Sequence, residues 1–308
     1  MSGITLVTGA TGLIGRHVLA KLKAQGRTAV GIDIATKPDH SEVLAADLTD
    51  IHRLHAIVLE RRVDAIVHCG AVSGPMVMID NPYGIVQANV VGTANVLELA
   101  RVHKMRRVVF CSSTSAYGPT LPPVDEAVGL PEETALRPSS VYGSTKVAGE
   151  QLLAAYRQQH GLDAVAIRLS WVYGPGRTTD CVIRTIIENA IADRPTKMPW
   201  GGNFPRQFIH VSDAVDALMA ALDADAFPTS VYTATGGTFL SLGDIAGLTA
   251  GLLDRSDVEL ADGPDPLDDY QHRFDISAIA RDLGFKPKLR LEEGIGGYIG
   301  WMKAREQL

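Results

Sequence analysis

The feature that most constrains the fold is a glycine-spaced turn held between a short strand and a helix. Residues 4–7 read Ile-Thr-Leu-Val, and Thr8-Gly9-Ala10-Thr11-Gly12-Leu13-Ile14-Gly15 follows at once. In that context each glycine has a purpose: Gly9 permits a tight turn, Gly12 lets backbone approach a pyrophosphate, and Gly15 lets the helix pack closely on the strand. The helix start offers amide donors and a positive dipole end to the same anion. The spacing is Gly-x-x-Gly-x-x-Gly, one residue longer at the front than the commoner dinucleotide fingerprint, and Thr11, Leu13 and Ile14 fall inside the turn.

Short β-branched runs then alternate with amphipathic stretches. Strands are expected at 4–7, 28–32, 43–46, 65–68, 107–111, 164–169 and 230–233, several of them apolar nearly throughout, as strands covered on both faces must be. Helical periodicity lies between them, for example over 17–25 and 90–102. The alternation implies βαβ units: an α/β fold with a doubly wound, Rossmann-type parallel sheet. After Gly174 the pattern breaks. A helix is expected over 180–193, irregular or extended chain over 197–208, a helix over 213–222, and an acidic, proline-containing stretch over 262–269. The expected division is a dinucleotide-binding domain over 1–174 and a smaller α/β substrate lobe over 175–308, with segments near 207–235 returning to the first. Such a lobe would cover the carboxyl ends of the strands, where open sheets bind ligands.

At 308 residues the chain can bury a large core. A formal charge of −6, without any Lys/Arg block, argues against a nucleic-acid surface. Cys69, Cys111 and Cys181 are scattered, which fits a reducing compartment and gives neither a disulfide framework nor a metal spacing. No secretory segment precedes the first strand and no apolar run would span a bilayer, so the expected location is the cytoplasm.

Asp33 ends the second expected strand, where a carboxylate can accept both ribose hydroxyls of an adenosine. A 2′-phosphate there would meet like charge. Ile34 offers no compensation and Lys37 is the nearest cation, so NAD is expected over NADP. Asp47 and Leu48, after the third strand, would suit the adenine edge, or Asp47 would simply cap a helix.

Tyr142 and Lys146 share one helix face, four residues apart. A phenol is a poor base at neutral pH, because unperturbed tyrosine titrates near about 10. An ammonium about 4 Å away would favour its anion by roughly 4 kcal/mol at an effective dielectric near 20. With Ser113 upstream to hold a substrate oxygen, the three residues form an acid/base set beside a dinucleotide. The alternative is an ordinary surface Tyr and Lys.

Here the chain resembles the extended short-chain dehydrogenase/reductase family, the NAD-dependent epimerase/dehydratase group. Besides the glycine turn and Asp33, the resemblance is carried by His68-Cys69-Gly70-Ala71, Asn89-Val90-Val91-Gly92-Thr93, the Ser112–Gly118 run, Tyr142–Lys146, Val172-Tyr173-Gly174-Pro175-Gly176 and Arg206-Gln207-Phe208-Ile209-His210-Val211. It implies NAD as cofactor and Ser113, Tyr142 and Lys146 as the catalytic triad. It further implies Gly70 and Ala71 on the nicotinamide side, Asn89 as a brace, and a homodimer. Hydride transfer on a sugar, sugar acid or similar polyol is the expected reaction. A nucleotide-sugar epimerase and a non-catalytic NAD-binding sensor or scaffold are the alternatives.

The chain also departs from the group. Many relatives place Asn before the Val-Tyr-Gly-Pro turn, against a diphosphate, where this chain has Trp171. Asp262, Asp265, Asp268 and Asp269 cluster where a phosphate-binding Arg is often found, as a repelling charge or as a solvated loop. Arg206 and Arg273 would clamp a carboxylate or single phosphate, or serve as structural ion-pair partners. Ser73 and Arg177 would contribute to the substrate wall. Thr114 and Ser115 replace the acidic pair of dehydratases, which disfavours elimination.

Overall fold

Neighbouring residues of the central strands bury on opposite faces, so one sheet builds two cores. The computed structural model describes residues 3–35, 43–266 and 268–306. Its main sheet has seven parallel strands: β1 (Ile4–Thr8), β2 (Ala29–Asp33), β3 (Val43–Ala45), β4 (Val63–His68), β5 (Arg107–Ser113), β6 (Ala164–Leu169) and β7 (Val231–Ala234). On one face Leu6, Ile66 and Val108 pack beneath the helices Ile51–Arg61, Gly92–Val102 and Val141–His160. On the other, Val7, Val67 and Val109 meet the helices Leu13–Ala24 and Val211–Asp223. Strands buried on both sides need continuous apolar sequence, which explains their composition.

The spatial order is β7-β6-β5-β4-β1-β2-β3. The chain moves outward from β1 through β2 to β3, then crosses back to β4 on the other side of β1. That reversal opens a crevice at the carboxyl ends of β1 and β4. The loops that follow those two strands meet there: a Cβ on Gly9, whose φ is +65°, would lie 2.8 Å from Gly70 Cα.

Beyond β6 the chain leaves the sheet. Trp171–Tyr173 pairs with Phe208–His210, Thr196–Met198 with Val258–Leu260, and Pro205–Arg206 with Leu240–Ser241. A third core forms among the helices Val182–Ile191, Leu242–Leu252 and Leu291–Glu306. This layer closes one side of the crevice. No helix among the described residues is long and apolar enough to cross a membrane.

Candidate active site

A cleft of about 500 Å³ follows the crevice from the β2–β3 edge to the second layer. At one end the helix Leu13–Ala24 begins at Gly12, and no side chain caps it. Its first amides therefore lack a side-chain acceptor, as an anion-binding start requires. A Cβ on Gly15 would lie 2.1 Å from Gly9 O, so only glycine lets this helix reach the turn. The Asp33 carboxylate accepts from Thr11 N at 2.9 Å, Thr11 Oγ1 at 2.8 Å and Ile34 N at 2.8 Å. Those bonds fix it at the cleft wall. Asp47 also lines the cleft and accepts from Thr49 N and Oγ1, whereas Asp50 caps the helix Ile51–Arg61; Asp47 is therefore no helix cap. Lys37, the cation read beside Asp33, lies outside the described residues. The uncapped helix start and the anchored carboxylate fit a dinucleotide's pyrophosphate and ribose.

Under the midpoint runs a one-directional hydrogen-bond chain. Gly70 N donates to Thr8 Oγ1 at 2.9 Å, and Thr8 Oγ1 lies 2.7 Å from His68 Nδ1. His68 Nε2 lies 3.0 Å from Thr93 Oγ1, which donates to Asn89 O at 2.6 Å. Thr93 spends its hydrogen on Asn89, so it accepts from His68 Nε2–H, and His68 Nδ1 accepts from Thr8. One neutral tautomer satisfies every group. Burial, assisted by the nearby Lys146 charge, pushes His68 down to about 3. Asn89, in the π-helical turn Gln87–Val91, accepts from Val72 N and donates to Val72 O and Thr145 Oγ1. It ties the loop after β4 to the helix Val141–His160.

That helix brings Tyr142 and Lys146 to the cleft. Ser140 caps it through Gly143 N at 3.0 Å, and a Cβ on Gly143 would lie 2.4 Å from Ser115 O. The helix start is thereby pressed onto the chain just past β5. Lys146, 4 % exposed, donates to Cys111 O at 2.7 Å, and its ammonium lies 5.7 Å from the Tyr142 ring centre. Ser113 Oγ donates to Ser115 Oγ and accepts from Ser115 N, both at 3.1 Å. One turn further, Glu150 accepts Ser112 Oγ at 2.5 Å and takes a bidentate Arg168 at 2.7 to 3.2 Å. This buried pair bolts the helix to β5 and β6. The sequence reading missed it, although Glu150 lies four residues from Lys146 on the same face.

Gly9, Thr11, Gly12, Leu13, Ile14, Gly15, Asp33, Asp47, Leu48, Gly70, Ala71, Ser73, Ser113, Tyr142, Lys146 and Arg177 all line the cleft. Arg206 and Arg273 do not. Arg206 is buried and donates to Asp265 at 2.6 Å and Asp268 at 2.8 Å, with its guanidinium 4.1 Å over the Trp171 ring. The anion clamp read from sequence is thus corrected to an ion cluster, because a desolvated guanidinium gathers the nearest carboxylates. Arg273 presents its carbonyl to Leu130 N at 2.8 Å and contributes nothing to the cleft wall. Trp171 donates from Nε1 to Asp268 at 2.8 Å, so its indole closes the cleft against that cluster.

Comparison with known proteins agrees with this geometry. Residues 5–233 match the NAD dependent epimerase/dehydratase family. A UDP-glucose 4-epimerase of Mycolicibacterium smegmatis is 31% identical, over 98% of this chain and 99% of its own. Among solved structures, the UDP-glucose 4-epimerase of Thermotoga maritima with UDP-glucose superposes with a TM-score of 0.89 at 22% identity, covering 98% of this chain and 99% of that one. MoeE5 in complex with UDP-glucuronic acid and NAD gives 0.85 at 28% identity, covering 99% of this chain and all (100%) of the other.

Proposed function

Because the chain belongs to the NAD dependent epimerase/dehydratase family, we propose that Tyr142, Lys146 and Ser113 carry out hydride-linked proton transfer on a secondary alcohol or ketone of a carbohydrate. The protein is an enzyme of the extended short-chain dehydrogenase/reductase group, and its cofactor is NAD. When bound, NAD supplies the acceptor and donor of hydride. The chain's own residues do the rest. Gly9, Gly12, Gly15 and the amides opening the helix Leu13–Ala24 hold the pyrophosphate, and Asp33 holds the adenosine ribose. Tyr142 Oη takes the substrate's hydroxyl proton, or returns it in the reverse direction. The Lys146 ammonium, fixed by Cys111 O, stands 5.7 Å from the ring that carries that oxygen and places a positive charge beside the reacting end. Ser113 Oγ turns from Ser115 toward the substrate oxygen and keeps it within reach of Tyr142.

The observation that carries this reading is the arrival of Ser113, Tyr142 and Lys146, from β5 and one helix, at a single end of the cleft that the glycine turn opens. Stoichiometric appearance of NADH with ketone, from purified protein, NAD and a carbohydrate, is the expected result. Turnover without net change in nicotinamide absorbance would favour the second reading, an epimerase, which the names of the relatives support. Retention of every activity in Tyr142→Phe would leave a non-catalytic NAD-binding protein instead.

A homodimer in the cytoplasm belongs to the same proposal. Tyr83, Val86, Val91 and Val141 are exposed apolar side chains in or near the helices Pro82–Val86 and Val141–His160, and the three cysteines are free thiols. Sedimentation at a dimer's mass is expected.

A further inference from the structure

We propose that the substrate is a free sugar acid, carrying a carboxylate and no nucleotide, held beside Arg177 and confined by Trp171, which the cluster of Arg206, Asp265 and Asp268 backs. This inference rests on the hydride-transfer reading above and names its substrate class.

Space is the first argument. At the substrate end the cleft is closed by the Trp171 indole, which Asp268 holds in place. A nucleoside diphosphate sugar is nearly as bulky as the dinucleotide itself. The cavity on the far side of Trp171 holds only about 10 Å³, roughly one water.

Charge is the second. One nitrogen of Arg206 serves both Asp265 and Asp268, and the three side chains are 4 to 8 % exposed. Two carboxylates surround one guanidinium there, so this cluster behind Trp171 offers a diphosphate no net positive charge. Recruiting Arg206 to it would draw the shared guanidinium away from two buried carboxylates, which is costly. Asp268 is committed a second time, to the Trp171 indole. Burial pushes its carboxyl above the ordinary range, against the pull of Arg206.

Arg177 supplies the third. Its guanidinium donates to the carbonyls of Val172, Thr179 and Asp180, using three of its five N–H groups, and lies 5.3 Å over the Trp171 ring. These partners orient the charge without neutralising it. The cleft's own carboxylates, Asp33 and Asp47, stand at the adenosine end, whereas its cations, Arg177 and Lys146, stand at the other. A small anion is the ligand that balances that end, and Ser73, Ser113, Ser115 and Thr178 offer hydroxyls to a polyol.

The test uses NAD-loaded protein and two measurements. In calorimetric titration, UDP and UDP-glucose are expected not to bind up to about 1 mM; a Kd tighter than about 1 mM for either overturns the proposal. In a survey of free aldonates and uronates with their matching neutral sugars, an acid is expected to exceed its neutral partner about ten-fold or more in kcat/KM. Preference for the neutral sugar overturns it. Arg177→Met should raise KM for the acid about ten- to a hundred-fold, and more than for the neutral sugar, with kcat changing little. Arg177→Lys should recover part of the loss if the first variant folds poorly. NADH from no compound, with UDP still excluded, would contradict the hydride-transfer reading while upholding the exclusion of nucleotide.

Discussion

The two ends of the cleft are built by different means. The adenosine end is made of backbone and two anchored carboxylates: the Gly9–Gly15 turn, the uncapped helix start, Asp33 held by Thr11, and Asp47 held by Thr49. Most of it comes from residues 9–33, which with the first strand form one βαβ unit, and Asp47 follows the next strand. The substrate end is made of side chains that meet across the whole chain. Trp171 reaches Asp268, Arg206 reaches Asp265, and Gln271 Nε2 donates to Thr114 O at 2.8 Å. A fixed cofactor needs a fixed backbone shape, whereas a substrate pocket needs walls that can be recombined. The first kind of site is written locally; the second exists only once the second layer has folded over the sheet.

The contrast can be broken most severely at Arg206. Arg206→Ala leaves Asp265 and Asp268 buried without their cation, so a loss of about 3–5 kcal/mol in urea denaturation is expected, with NAD affinity in the surviving folded protein unchanged. A loss below about 1 kcal/mol would make Arg206 available for ligands instead of structural. His68, beneath the junction of the two ends, gives a pH signature. In the unfolded chain its imidazole takes a proton near the ordinary 6.5, whereas in the fold it stays neutral down to about 3. The unfolded state therefore binds more protons as pH falls. The stability is present in full above 6.5 and is lost progressively toward 3, amounting to about 2 kcal/mol between pH 7 and pH 5. His68→Gln should flatten that slope in denaturant titrations at several pH values; an unaltered slope would place the acid sensitivity elsewhere. The smallest effect belongs to the adenosine end. Asp33→Ala should relax the preference for NAD over NADP by about ten-fold, or about 1.4 kcal/mol. It should also weaken both cofactors somewhat, since Thr11 loses two bonds. An unchanged ratio of affinities would move discrimination away from Asp33.

Legibility followed the same division. The glycine spacing, Asp33 after β2, and Tyr142 with Lys146 one helical turn apart are periodic or contiguous signals, and the structure gathers all of them at one cleft. Strand identity was equally readable, because strands covered on both faces leave continuous apolar runs. Arg206 was readable as a charge without a partner, since Asp265 lies 59 residues away and nothing local pairs the two. Glu150 and Arg168 are 18 residues apart on a helix and a strand, and their pairing depends on how the helix docks. Gly143 carried a signal that went unused: a glycine inside a helix weakens it unless close approach requires one, and Ser115 O is that requirement.

The central claim is that Tyr142 moves a proton at the end of the cleft where Lys146 and Ser113 converge. Its most direct test is the Tyr142→Phe enzyme, with single-turnover rate and NAD affinity measured on the same preparation. The account predicts a rate lower by about 10²- to 10⁴-fold, with the Kd for NAD unmoved. A rate within about two-fold of the parent enzyme, at equal NAD affinity, would contradict it.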